Sequence, residues 1–302
     1  MIYDNIIEVI GNTPLIKYQG LPEEYADVYF KLESRNPSGS VKDRAVKGIL
    51  TDLFHKGILK PGDTIIEPTS GNTGVGLSAV GAALGLKVII VMPETMSVER
   101  RQLMKAYGAE LVLTPGSEGM QGALDKAEAL SEEYDAPIFG QFTNDANVEA
   151  HYRTTGPEII RDLPNVCAFV AGVGTGGTIS GVGKALKEHN PDVKIVALEP
   201  ADSPLLSQGH AGPHRIQGIG ANFIPKVYTP EVVDEVRTIT NEQAIDTTIE
   251  LAKSQGVLAG ISSGANIYGA IELAKELGEG HVVVTVLPDT GERYLSSGIF
   301  GE

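Results

Sequence analysis

The sequence predicts an α/β protein built on mostly parallel sheets, and three observations carry that prediction. Short apolar runs rich in β-branched residues alternate with amphipathic stretches along the chain. Two of these runs pass through a glycine loop directly into a helical stretch, as a parallel strand does when it enters its crossover. The 302 residues suffice for one large or two ordinary domains with an ample core.

The elements follow in order. Residues 28–32 read as a strand, and Pro37 and Gly39 punctuate the chain after it. Ser40 can cap a helix that carries Arg44, Val46, Ile49, Leu50 and Leu53. Residues 64–67 form a second short strand, followed by the loop Thr69, Ser70, Gly71, Asn72, Thr73, Gly74 and a helix over 75–84. The apolar stretch 75–92 raises a membrane question, but its glycines, Ser78 and Lys87 divide it into that helix and a strand at 87–92. Further strands are expected at 110–113, 168–171, 194–198 and 282–287. The run at 168–171 leads through Gly172, Val173, Gly174, Thr175, Gly176, Gly177 and Thr178 into a helix through 182–186. Ser262 and Ser263 precede a final helix over 265–277. No repeat, low-complexity tract or long linker interrupts the series.

Lys42 is the candidate for the chemistry. It falls in the first turn of a helix, where the positive end of the dipole disfavours a cation. A neutral amine is what a carbonyl-bearing cofactor needs to form a Schiff base. The two glycine loops point backbone N–H groups and helix amino ends at whatever lies above them, so they can bind anions without lysine or arginine. Gly172, Gly174 and Gly177 also satisfy G-x-G-x-x-G, with Glu199 at the end of the next strand. That pattern defines a rival reading, a nicotinamide-dependent oxidoreductase or other NAD-type dinucleotide-binding protein. Against it, such a loop usually opens its domain, whereas here two other loops precede it and would lack a role.

The segment Asn36-Pro37-Ser38-Gly39-Ser40-Val41-Lys42-Asp43-Arg44, the 69–74 and 174–178 loops, and Gly260-Ile261-Ser262-Ser263-Gly264-Ala265 resemble the pyridoxal-phosphate enzymes of the cysteine synthase/cystathionine β-synthase family. The resemblance runs from Gly11-Asn12-Thr13-Pro14-Leu15 to Pro288-Asp289-Thr290-Gly291-Glu292-Arg293-Tyr294. Residues 93–97, 141–144, 151–158 and 218–225 are similar to the A-type O-acetylserine sulfhydrylases. The resemblance implies the tryptophan synthase β-like fold, type II among these enzymes. It implies a smaller mobile domain at 35–148, with 1–34 and 149–302 forming the larger, cofactor-binding one.

It also gives each loop a part. Lys42 matches the lysine that holds pyridoxal 5′-phosphate and then acts as base at Cα. Gly174, Thr175, Gly176, Gly177 and Thr178 match the phosphate cradle, and Asn72 the partner of the ring hydroxyl. Thr69, Ser70, Gly71, Asn72, Thr73 and Gln141 match the groups that hold the substrate carboxylate. Ser263 matches the residue facing the pyridine nitrogen, with Ser262 adjacent and not separable from it by sequence. A neutral hydroxyl there makes the ring a weaker electron sink than an aspartate would, which favours β-elimination and replacement over transamination. The implied reaction makes L-cysteine from O-acetyl-L-serine and sulfide through an α-aminoacrylate. The alternative within this chemistry is cystathionine β-synthase activity, with homocysteine as nucleophile. A homodimer and docking of the serine acetyltransferase carboxy-terminal tail are further expectations from the resemblance. Met96 and Met120 match positions that line the entrance in related enzymes.

Composition bounds the rest. A formal charge of −15 opposes non-specific binding to nucleic acid or anionic membrane. Residues 1–9 hold Asp4 and Glu8 and no basic residue, so they do not read as a signal or transit peptide, and the expected location is cytoplasmic. The single cysteine, Cys167, permits no internal disulfide or thiolate metal cluster and is expected to be a buried structural thiol. His210 and His214 are separated by Gly212 and Pro213, which break any helix aligning them, and no metal is assigned. Asp289 and Glu292 are expected in a loop or capping role.

Overall fold

The computed structural model describes residues 1–301. Its strands form two sheets of unequal size. The elements in chain order are β1 (Leu15–Lys17), β2 (Asp27–Leu32), α1 (Lys42–His55), β3 (Thr64–Pro68), α2 (Asn72–Ala83), β4 (Lys87–Pro93), α3 (Val98–Ala106), β5 (Glu110–Thr114), α4 (Gly119–Tyr134), α5 (Ala146–Arg153), α6 (Thr155–Asp162), β6 (Ala168–Gly172), α7 (Gly177–His189), β7 (Lys194–Pro200), α8 (Leu205–Gln208), β8 (Glu235–Ile239), α9 (Asn241–Glu250), α10 (Ile261–Leu277) and β9 (Val282–Leu287). The large sheet has the order β1-β2-β9-β6-β7-β8, with only β1 antiparallel to its neighbour. The small sheet, β3-β4-β5, is wholly parallel. Every strand read from the sequence is present. The short edge strands β1 and β8 are additional: neither carries a run of apolar residues long enough to stand out, and both borrow their order from β2 and β7.

Both sheets are covered on two faces, which is why their central strands read as continuous apolar runs rather than alternating ones. In the small sheet, Ile65, Val88 and Ile90 pack under α1 and α2, whereas Ile66, Ile89 and Val91 pack against the alanines of α4. In the large sheet, Val170, Leu198 and Val283 join Ala265 and Leu273 of α10 on one side. Phe169, Ile195 and Val284 join Ile179, Val182 and Leu186 of α7 on the other. Successive residues of one strand thus feed opposite cores.

The apolar stretch 75–92 resolves into the body of α2 and β4 joined through Gly85, and no helix among the described residues is long and apolar enough to cross a membrane. Cys167 departs from expectation. It lies one residue before β6 and is only half-buried, with its thiol directed at the Asn165 carbonyl at 3.4 Å.

Candidate active site

Lys42 opens α1. The turn before it is tight: Gly39 has φ +89°, and a Cβ there would stand 2.9 Å from the Arg293 guanidinium. The Ser38 amide donates to Asp43 Oδ2 at 2.7 Å, folding the turn back onto the helix. Ser40 does serve the first turn, its hydroxyl accepting the Lys42 N–H at 3.2 Å, although the helix starts two residues after it. The orientation of α1 is held from below by a buried ion cluster. Arg44 pairs with Glu33 at 2.8 Å and Glu158 at 2.7 Å, and Lys31 joins Glu158 at 2.7 Å. Burial alone would raise the Glu33 carboxyl, but Arg44 outweighs it and holds it at about 2.

The Lys42 amine lies 3.9 Å from the place a Cβ on Gly174 would occupy, so the two predicted centres meet. Its surroundings push the amine down to about 8, chiefly through burial and against the pull of Asp289. The physical cause is therefore desolvation, where the sequence pointed to the helix terminus. A lysine of this kind carries a far larger neutral fraction near physiological pH than an ordinary lysine does.

The loop after β6 is packed without slack. A Cβ on Gly174 would stand 2.4 Å from the Gly218 carbonyl oxygen, and Gly176 has φ +86° against Tyr228. Thr175 Oγ1 accepts from Asn147 Nδ2 at 3.0 Å and from the Gly177 N–H at 3.2 Å. Thr178 Oγ1 meets His151 Nε2 at 3.3 Å, and burial pushes that imidazole down to about 3, so it stays neutral. Backbone, hydroxyls and the amino end of α7 form a cradle suited to a phosphate. Glu199, which the dinucleotide reading places on a ribose, is instead buried and accepts from the Leu206 and Ser207 amides at 2.7 and 2.9 Å. Those bonds commit its carboxylate to the start of α8, and the dinucleotide reading loses its acidic partner.

The loop after β3 is more open. Nothing lies within 4 Å of a Cβ built on Gly71, and Thr69 Oγ1 accepts the Gly71 N–H at 3.3 Å. Ser70 beside them is half-buried. Thr73 Oγ1 donates to Gln141 Oε1 at 2.6 Å, bringing together two residues far apart in the chain. Asn72 Nδ2 donates to Asp289 Oδ2 at 2.7 Å, and Asn72 Oδ1 accepts from Arg293.

The two serines of α10 differ in their surroundings. Ser263 Oγ is sealed from solvent and has no hydrogen-bond partner among the described residues, the state expected of a buried hydroxyl whose partner is a bound group. The Ser262 side chain instead lies beside Gly218, its Oγ 3.6 Å from a Cβ built there, and Gly218 packs on Gly174.

Several residues of the site escaped the sequence reading. Asp289 is 1% exposed, accepts from Asn72 and from Tyr294 Oη at 2.7 Å, and acts electrostatically on Lys42, so it is more than a loop carboxylate. Glu67 at the end of β3 accepts the Gly140 and Gln141 amides at 2.9 and 3.4 Å. Asn147 donates to the Gln141 carbonyl at 2.9 Å. A buried carboxylate within an apolar strand was the available signal for Glu67; Asn147 offers none. His214 serves structure, with Nε2 donating to the Gly220 carbonyl at 2.9 Å. Met96 packs against the core beside Met104, while Met120 is exposed.

A lysine with a lowered pKa, a glycine cradle that admits no Cβ, and a facing hydroxyl fit an aldehyde-bearing, phosphorylated cofactor. The chain belongs to the pyridoxal-phosphate dependent enzyme family, whose model matches residues 6–289. It is 55% identical over 300 residues to the cysteine synthase of Staphylococcus aureus (strain Mu50 / ATCC 700699), covering 98% of this chain and 97% of that one. Among solved structures, that of O-ureido-L-serine synthase superposes with a TM-score of 0.96 at 45% identity, covering 99% of this chain and 96% of that one. The cysteine synthase of Entamoeba histolytica gives 0.96 at 43% identity, covering 99% and 91%.

Proposed function

We propose that the protein is a pyridoxal 5′-phosphate-dependent β-replacement enzyme that makes L-cysteine from O-acetyl-L-serine and sulfide. The observation that carries the reading is the Lys42 amine, lowered to about 8 and set against the Gly174 cradle. When bound, the cofactor supplies the electron sink that stabilises negative charge at Cα. Lys42 would hold it covalently through its amine. With its amine free, Lys42 would take the Cα proton while acetate leaves Cβ with its electron pair. Hydrosulfide adds at Cβ, and Lys42 returns a proton to Cα.

The other residues bind and orient. Gly174, Thr175, Gly176, Gly177 and Thr178 would hold the phosphate, Asn72 would face the ring hydroxyl, and Ser263, whose buried hydroxyl has no other partner among the described residues, would face the pyridine nitrogen. Thr69, Ser70, Gly71, Thr73 and Gln141 receive the substrate carboxylate. Residues 35–148, which contain the small sheet, move toward the rest of the chain when that carboxylate binds. The similarity to an O-ureido-L-serine synthase means that the fold does not choose the nucleophile, and the higher identity to a cysteine synthase favours sulfide. A homodimer, a cytoplasmic location and docking of the serine acetyltransferase tail at the 69–73 loop complete the reading; sedimentation, cell fractionation and titration with a peptide ending in a free carboxylate test each in turn.

The deciding experiment incubates the purified protein with O-acetyl-L-serine and either sulfide or homocysteine, and measures the amino acid formed. Cysteine at a rate well above cystathionine, lost by at least about 1000-fold in Lys42→Ala, is the expected result. Cystathionine as the faster product would transfer the assignment to homocysteine, and undiminished turnover in Lys42→Ala would remove Lys42 from the chemistry.

A further inference from the structure

Asn147 is 1% exposed, at the start of α5, between the two loops of the site. Its amide orientation is fixed by chemistry. The Gln141 carbonyl, 2.9 Å away, can only accept, so the group facing it must be Nδ2. The same Nδ2 lies 3.0 Å from Thr175 Oγ1 and supplies its second hydrogen there. Thr175 Oγ1 also receives the Gly177 N–H at 3.2 Å. A hydroxyl has two acceptor positions and one proton. Both acceptor positions of Thr175 are taken by N–H donors, so its proton must be given elsewhere. The Asn147 Oδ1 side is closed as well, since it lies 2.1 Å from where a Cβ on Gly177 would stand.

We propose that Asn147 is a positioning residue that sets the polarity of the Thr175 hydroxyl, committing its single proton to the phosphate of the bound cofactor. The inference rests on reading the 174–178 loop as the phosphate cradle. Asn147 touches neither cofactor nor substrate in this arrangement; it acts through Thr175, and through the Gln141 carbonyl it holds the neighbouring loop at a fixed distance from the cradle. Aspartate at this position would reverse the pattern, because a carboxylate accepts the Thr175 proton and adds a negative charge behind the cradle.

The test compares affinities of apoprotein, prepared from the full chain, for pyridoxal 5′-phosphate and for pyridoxal, which lacks the phosphate. Thr175→Val is expected to lower the ratio of the two affinities by about 10-fold, Asn147→Asp by about 100-fold, and Asn147→Ala by about 10-fold or less, the order following the strength of neutral and charge-assisted hydrogen bonds. A merely structural role for Asn147 would weaken both ligands equally and leave the ratio unchanged, which would overturn the proposal. An unchanged ratio in Thr175→Val would instead remove the phosphate from this loop, a different failure. Should Asn147→Asp not fold, Asn147→Ala decides: a ratio equal to that of the unmodified protein overturns the inference, and a lowered one supports it.

Discussion

The loops after β6 and after β3 share one design, strand, glycine turn and helix, yet they are packed in opposite ways. In the first, a Cβ on Gly174 meets the Gly218 carbonyl at 2.4 Å, and Thr175 is bonded from two sides. In the second, the space over Gly71 is free, and the principal side-chain tie is Thr73 to Gln141. A site whose ligand stays bound through every turnover gains from being rigid before the ligand arrives, because little ordering entropy is then lost on binding. A site whose ligand enters and leaves each cycle needs room and a weaker frame. The contrast in packing is the one expected if the first loop is the cofactor loop and the second the substrate loop, as proposed.

The largest expected effect comes from filling the packed loop. Gly174→Ala must displace the Gly218 segment or the loop itself, at a cost of about 1–3 kcal/mol, and cofactor affinity should fall by more than about 100-fold. Gly71→Ala is the paired control. Its backbone, φ −108°, suits any residue, and the added methyl enters open space. Stability should change by less than about 0.5 kcal/mol and cofactor content not at all, while the KM for O-acetyl-L-serine rises. Cofactor spectra, thermal unfolding and steady-state kinetics on both variants read this out. Equal loss of cofactor in the two would erase the distinction between the loops.

A smaller effect is expected at the tie itself. Gln141→Ala removes one hydrogen-bonding group from the open loop and leaves Thr73 without its acceptor. The KM for O-acetyl-L-serine should rise about 10-fold, the equivalent of one to two ordinary hydrogen bonds, with cofactor affinity within about 2-fold. A matching loss of cofactor affinity would show the loops to be one rigid unit.

Much of this was legible in the residues and some was not, for physical reasons. The buried parallel strands declare themselves because both faces are covered, so 87–92 and 282–287 are apolar throughout. The glycine loop after β6 declares itself because only glycine tolerates the close approach to Gly218 and Tyr228. Asp289 and Asn147 stayed hidden because their roles arise from partners distant in the chain, Asn72 and Thr175, and no local pattern encodes such a pairing. Ser262 and Ser263 could not be separated for a related reason: which of two adjacent helical residues faces a cavity depends on how α10 is rotated against Gly218, and the rotation is set by packing on the large sheet.

The last effect is read in the pH dependence of stability rather than in binding, and it sharpens the comparison from the substrate side. Glu67 supports Gly140 and Gln141 from beneath the open loop, and burial pushes its carboxyl up from the ordinary 4.5 to about 7. Between those two values the unfolded chain releases this proton while the folded chain keeps it. Folding is therefore favoured less as pH rises from about 4.5, and the loss is complete just above 7. Its full size is about 3 kcal/mol if no other group compensates. Glu67→Gln cannot ionise, so it should remove this slope and, by keeping an acceptor for one of the two amides, retain the loop. Denaturant midpoints at pH 5.5 and 7.5 measure it. The wild-type midpoint should fall between the two more steeply than that of the variant, and parallel slopes would mean that Glu67 is already ionised at the lower pH. Cofactor affinity, which depends on the other loop, should be unchanged by the substitution at either pH.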